Sequence, residues 1–281
     1  MVSYPTVLAG IGVLAAQLAD SAAGAPAIVW LAAAAPAFMW ACLLWLMTRP
    51  GGVGVSAIGA ALVAGAVFAA WPASHASQAL FDAVAGVAGD ARARPTVLGV
   101  VVPVVEEVAK AGAIALLVVM IPGCTASIGV GAVVGAVVGL GFTAAENVQY
   151  LTLAAIQGGT AGLWRATYVR GLLGGLHHAT FAAATGAGFA YARRLPAVRR
   201  RWMAAMLGLL AAVAQHVVWN ICGARALTDT LCGAVRPGAP CTASPDPVAL
   251  FVAAPLLSLV FVVPALAVLR VIARRSAGRG E

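Results

Sequence analysis

The sequence predicts an all-α fold: a polytopic bundle of about eight membrane-spanning helices, built as one integral membrane domain over residues 1–281. Three observations carry this. The chain is 62% hydrophobic and 9% charged, where soluble domains carry about 25% charged residues, and its mean hydropathy is +0.98. Apolar runs of about 20 residues, enough to cross a hydrocarbon core, recur along the chain. The breaks between them carry Pro, Gly and Arg, as in "TRPGG" at 48–52, "IPG" at 121–123 and "RRLPAVRRR" at 193–201.

Taken in order, spanning helices are expected at 5–23, 27–47, 53–71, 97–121, 127–153, 171–192, 203–223 and 248–272. The first is the least apolar, since Gln17 and Asp20 fall inside it. The stretch 72–96 is mixed, and its "ASQALFDAVAGVAG" reads as a helix lying at the membrane interface. The loop 224–247 is rich in proline and holds Cys232 and Cys241. The chain begins MVSY, without a basic, short apolar leader, so no removable signal peptide is expected. Residues 97–223 form the expected core, with 1–96 and 224–281 as accessory helices and loops.

The net charge of +8 raises nucleic acid as a partner. The arginines sit in short loops beside apolar runs, where orientation and anionic lipid account for them, so no nucleic acid is expected. Arg49, the five Arg of 193–201 and the four from Arg270 onward place ten basic residues on one side of the eight-helix arrangement. Arg92, Arg94, Arg165, Arg170, Arg225 and Arg236 place six on the other. The richer side is the cytoplasmic one. This predicts a multi-pass protein of the cell membrane with both termini in the cytoplasm. It also puts Cys232 and Cys241 outside, either bridged or as two unpaired thiols. The five cysteines match no C-x-x-C metal pattern.

The fourth apolar run, "VVPVVEEVAKAGAIALLVVMI", holds Glu106, Glu107 and Lys110 at its centre. Each charge there costs about 2.5–3.5 kcal/mol on insertion scales. Lys110 stands i+4 from Glu106 and i+3 from Glu107, within reach of both. A lone Glu–Lys pair would serve to lock a bundle; the second carboxylate goes beyond that need. Glu146 and Asn147 occur in the fifth helix, His177 and His178 in the sixth, His216 and Asn220 in the seventh. Each histidine alone reads as a core residue. Counted from the expected helix ends, however, Glu106, Glu146, His178 and His216 all lie roughly 10–14 Å below the outer surface. Gly131, Gly135 and Gly139 make a close-packing stripe that runs on to Glu146. Gly171, Gly174, Gly175, Ala182 and Gly186 share a face with His178, while His177 points about 100° away. His178 is therefore the site residue, with His177 and Asn147 supporting it.

Buried carboxylates beside histidines suit two tasks. A desolvated glutamate activates water as a general base. Glutamate and histidine also hold a divalent cation, with three ligands and an open position as the catalytic zinc pattern. Glu146, His178 and His216 are the expected ligands, and Glu106 or Glu107 the base. In a metal-free version Glu activates the water and His216 with Asn220 donates to the developing oxyanion. Both versions describe hydrolysis of an acyl bond inside the membrane. A transporter or ion pathway would use the same residue types, but no inverted repeat of broken helices is visible. An inactive scaffold that binds membrane helices is the third reading.

"EEVAK", "FTAAEN", "HATF" and "HVVWN", in this order on successive helices, resemble the motifs of the PrsW family of intramembrane proteases, relatives of the CAAX-processing group. The resemblance covers about residues 97–223 and implies paired glutamates at Glu106 and Glu107, a lysine at Lys110, a glutamate at Glu146, histidines at His178 and His216, and an asparagine at Asn220. The wider CAAX group has Arg where Lys110 stands and His where Glu146 stands, which favours the PrsW branch over prenyl-protein substrates. The resemblance further implies a membrane-protein substrate such as an anti-sigma factor cut on its outer side. It also implies a divalent metal, zinc first.

Overall fold

A computed structural model describes residues 25–48, 53–232 and 246–277, and they contain helices but no strand. The first expected span (5–23) and Cys241 lie outside the described residues, as does any Cys232–Cys241 bridge. Cys42, Cys124 and Cys222 are free thiols.

Helix α1 is Ala27–Thr48. Helix α2, Val55–Val63, runs through a π-helical stretch, Ala64–Ala69, into α3, Ala70–Ala88. The third expected span and the expected interfacial helix are thus one continuous helix of 34 residues. Pro72 would break a regular ladder. It follows the π-helical turn, where the ladder is already widened, and the helix passes through it. At 1.5 Å per residue this helix is about 50 Å long, well beyond the ~30 Å hydrocarbon core. Its last part, from His75 on, is mostly exposed and carries the polar residues of the segment. Gly89 then reverses the chain with a φ of 79°, a conformation that costs glycine alone no steric strain. The return leg is α4, Asp90–Thr96, continued by π-helical Val97–Val101 into α5, Val102–Met120.

Helix α6, Ile128–Ala166, is capped by the Ser127 hydroxyl, which accepts from the Val130 N–H at 3.0 Å. Its course breaks at Gly159 (φ 57°), and π-helical Thr167–Leu173 leads into α7, Gly174–Ala192. Then follow α8 (Val198–Val218), π-helical Trp219–Gly223, α9 (Ala224–Cys232), π-helical Ala249–Ala253 and α10 (Ala254–Ala277).

Helix α6 is the axis of the bundle, and its glycines place its neighbours. A Cβ on Gly131, Gly135 or Gly139 would overlap backbone atoms of Gly186, Ala182 and His178 respectively. This register shows α6 and α7 packed antiparallel with their backbones touching, the arrangement that small-residue stripes permit in a membrane. On the other side of α6, Gly141 meets Leu62 and Gly65 meets the Val138 carbonyl. Large apolar side chains such as Leu31, Phe38, Val119, Leu207 and Val260 point outward, as lipid contact requires.

Among the described residues four stretches are long and apolar enough to cross a membrane: Ala27–Leu46, Val55–Ala88, Ile128–Ala192 and Val198–Leu231. The larger expected number divides differently for identifiable reasons. The spans expected at 127–153 and 171–192 fall in one stretch. Helix α5 carries three charges. Ala249–Ala265 is a shorter apolar helix.

Candidate active site

The charges of α5 sit at the middle of the bundle. Glu107 and Lys110 are fully buried, and Glu106 is 7% exposed. Lys110 Nζ donates to Glu107 Oε1 at 2.8 Å and approaches Glu106 Oε2 at 3.4 Å. It reaches further than its own helix, donating to His178 Nδ1 at 2.9 Å and lying 4.0 Å from the centre of the Phe142 ring. Because an ammonium only donates, the His178 proton is carried on Nε2. That nitrogen stands 3.4 Å from Glu146 Oε2.

His216, from α8, meets the same group from the opposite side. Its Nδ1 faces Glu107 Oε1 at 2.9 Å and so donates to it. The lone pair on its Nε2 is left free, 3.9 Å from Glu106 Oε2. The His178 and His216 rings meet edge to face at 5.0 Å, and Phe181 stacks on His216 at 4.9 Å. Four helices, α5 to α8, thus bring Glu106, Glu107, Lys110, Glu146, His178 and His216 into one cluster. The shared depth expected from the sequence has its counterpart in these contacts.

The supporting residues fall less uniformly. Asn147 is buried and accepts from Arg170 Nε at 3.1 Å. His177 turns away and stacks on Trp219, with centroids 3.6 Å apart, in a separate apolar cluster toward α10. Asn220 is the expected residue that takes no part in the cluster's hydrogen bonds. Its amide donates to the Leu98 carbonyl at 2.9 Å and ties the end of α8 to the entry of α5.

Arg170 is the residue that sequence reasoning left among the loop arginines. It stands in the π-helical turn before α7. Its guanidinium pairs with Glu146 Oε1 at 3.1 Å, and lies over the Tyr150 ring at 3.5 Å. The available signal was its place directly before "GLLGGLHH", inside an apolar run rather than in a loop.

Donor atoms of Glu106, His178 and His216 all lie within 4.8 Å of one another. Glu146, expected in that set, is drawn to Arg170 through one oxygen. Its other oxygen is buried without a hydrogen-bond partner. The donor chemistry of Glu106, His178 and His216 suits a zinc-class ion. Three carboxylates face two cations, Lys110 and Arg170, which leaves one carboxylate to be matched by a proton or a further cation. Glu107 orients His216 as carboxylates behind metal-binding histidines do.

A cleft opens on this cluster. It has a volume of about 210 Å³ and takes in both Glu106 and Glu146. Searches of characterised proteins and of solved structures gave no match. A family profile does match, over residues 53–268: that of the PrsW family intramembrane metalloproteases. The match spans most of the chain and starts well before the four motifs, taking in α2 and α3. The chain belongs to the PrsW family of intramembrane proteases, and is a membrane-embedded hydrolase.

Proposed function

We propose that this protein cuts a membrane-anchored protein, of which an anti-sigma factor is the leading example, near the outer face of the membrane. The observation that supports this most is that Glu106, which groups with His178 and His216, also lines a cleft together with Glu146. In this reading Glu106, His178 and His216 hold a divalent ion, zinc first, and the ion would take the His178 lone pair that accepts from Lys110 in the ion-free site. When bound, such an ion makes water more acidic and polarises a carbonyl oxygen. The roles of the two glutamates are thus exchanged relative to the sequence expectation. Glu106 groups with both histidines, while Glu146 faces the cleft with Oε2 3.4 Å from His178 Nε2.

Glu146 accepts a proton from the attacking water as the water oxygen bonds to the peptide carbon. It returns that proton to the amide nitrogen as the C–N bond breaks. Arg170 keeps Glu146 in place through their 3.1 Å contact. Lys110 holds Glu107, and Glu107 holds His216. Asn220 reaches the developing oxyanion only by releasing Leu98, so its first role is to position α5. The transporter reading is not favoured by the family match.

Purified protein in detergent, assayed for bound metal and for cleavage of a single-span peptide, tests the assignment. The expected result is about one ion per chain, lost together with activity in Glu106→Gln and His216→Ala. Glu146→Gln keeps the ion and loses at least about a hundredfold in rate, the usual scale of a general base. Full activity in Glu146→Gln sinks its role as base. Cleavage that survives exhaustive chelation, with no metal in the purified protein, removes the ion and leaves a glutamate mechanism.

A further inference from the structure

The cleft has a wall that none of the four motifs supplies. One side is α6, through Phe142, Ala145, Gln149 and Tyr150; the floor is Leu98, Val102 and Glu106. The other side is α3, through Ala70, Ser74, Ser77, Gln78 and Phe81. Helix α3 is the part of the long α2–α3 helix that outruns the hydrocarbon core. The wall therefore lies where the membrane gives way to water. Its polar groups are not equally occupied. The Ser74 hydroxyl bonds within its own helix to the Trp71 carbonyl at 2.9 Å, and Gln78 donates to Asp82 at 2.8 Å. The Ser77 hydroxyl is buried with no partner. A buried hydroxyl without a hydrogen bond costs about 1–3 kcal/mol, a cost removed when a ligand supplies the bond. The hairpin turn at Gly89 brings α4 back along α3, with Ala93 fully buried and the Arg94 guanidinium 5.7 Å from the Phe81 ring. The wall is thereby braced from behind.

We propose that the α3–α4 hairpin is the substrate-binding element, and that its face from Ser74 to Phe81 holds an extended stretch of the substrate across Glu106 and Glu146. This rests on the protease reading and names the substrate class more closely: a polypeptide whose membrane helix ends at the boundary. A helical segment keeps its carbonyls in i→i−4 bonds, so the residues around the scissile bond must unwind. Unwound backbone needs new partners in a site at membrane depth. Ser77, aided by Gln78 and Gln149 at the rim, supplies them.

The test places a photo-crosslinking benzoylphenylalanine at Gln78 or, as a lipid-facing control, at Leu207, in the Glu106→Gln background. The probe is a dye-labelled single-span peptide with a glycine pair at its boundary. A cross-link at 78 and none at 207 is the expected result. In the otherwise wild-type enzyme, Ser77→Trp then raises KM at least tenfold with kcat within threefold, and Ser77→Ala raises it less. Equal labelling at both positions, or no label at 78, overturns the proposal, whether or not the wild-type enzyme cuts the peptide. A label at 78 without any cleavage keeps the cleft as a peptide site and counts against the protease reading alone.

Discussion

Lys110 is the residue on which the cluster turns. Its ammonium is fully buried and bridges Glu107, Glu106 and His178. Removing one member of a buried ionic group costs about 3–5 kcal/mol because the other charges are left unpaired. Lys110→Met is expected to lower peptide cleavage more than tenfold while the protein still fractionates with the membrane, since insertion is decided by the summed apolar helices. Unchanged cleavage in that variant would show the bridge to be dispensable. His177 makes the opposite case. Its ring stacks on Trp219, away from the glutamates and Lys110. A ring of similar size serves as well there. His177→Phe should keep cleavage within threefold of wild type, where His216→Phe loses it. Comparable losses in both would mean that His177 acts at the reacting centre.

At the scale of elements, the spacing of α6 and α7 carries His178 to its partners. Gly139 lies against the His178 carbonyl with no room for a Cβ. Gly139→Ala must push the two helices apart, an overpacking cost of about 1–3 kcal/mol. It also moves His178 away from Lys110. Cleavage should drop steeply and thermal stability modestly. Gly112→Ala is the matched control. It lies on α5 with open space around the added methyl group, and both quantities should stay at wild-type level. Equal behaviour of the two variants, measured by melting and by cleavage, would remove α6–α7 spacing from the account.

At the scale of the whole molecule, the open question is which side of the membrane the cleft faces. From the arginine excess at 193–201 and beyond 270 those segments are expected in the cytoplasm. The α3–α4 hairpin and the cleft are then outside. Single cysteines at Val87, 92% exposed on the hairpin, and at Val198, 65% exposed after the α7–α8 turn, report this directly in a cysteine-free background. An impermeant maleimide added to intact cells should label position 87 and leave 198 untouched. The reverse pattern would invert the topology and bring substrates on the cytoplasmic side into view.

Helical class and most helix positions were legible from the sequence because lipid allows few backbone solutions and twenty apolar residues announce one of them. Glu106, Glu107 and Lys110 were legible for the same reason: charge inside an apolar run needs an explanation. The i,i+3 and i,i+4 spacings place Lys110 beside both glutamates within a single helix. Other features depend on contacts between helices. Arg170 reads as one more basic residue beside a span until the turn before α7 sets it against Glu146. The choice of Glu106 over Glu146 as companion to the histidines is a matter of a few ångströms. The continuity of α2 with α3 was hidden by Pro72 and by the polar residues after it, which mimic a loop. The cleft is lined by that long helix, by α5 with its π-helical lead-in, and by α6, three elements that meet only in the folded chain. Sequence periodicity records which face of a helix is buried, but not how far apart two helices stand. That separation is set by the small residues and side chains that meet across each interface, and so by the tertiary structure alone.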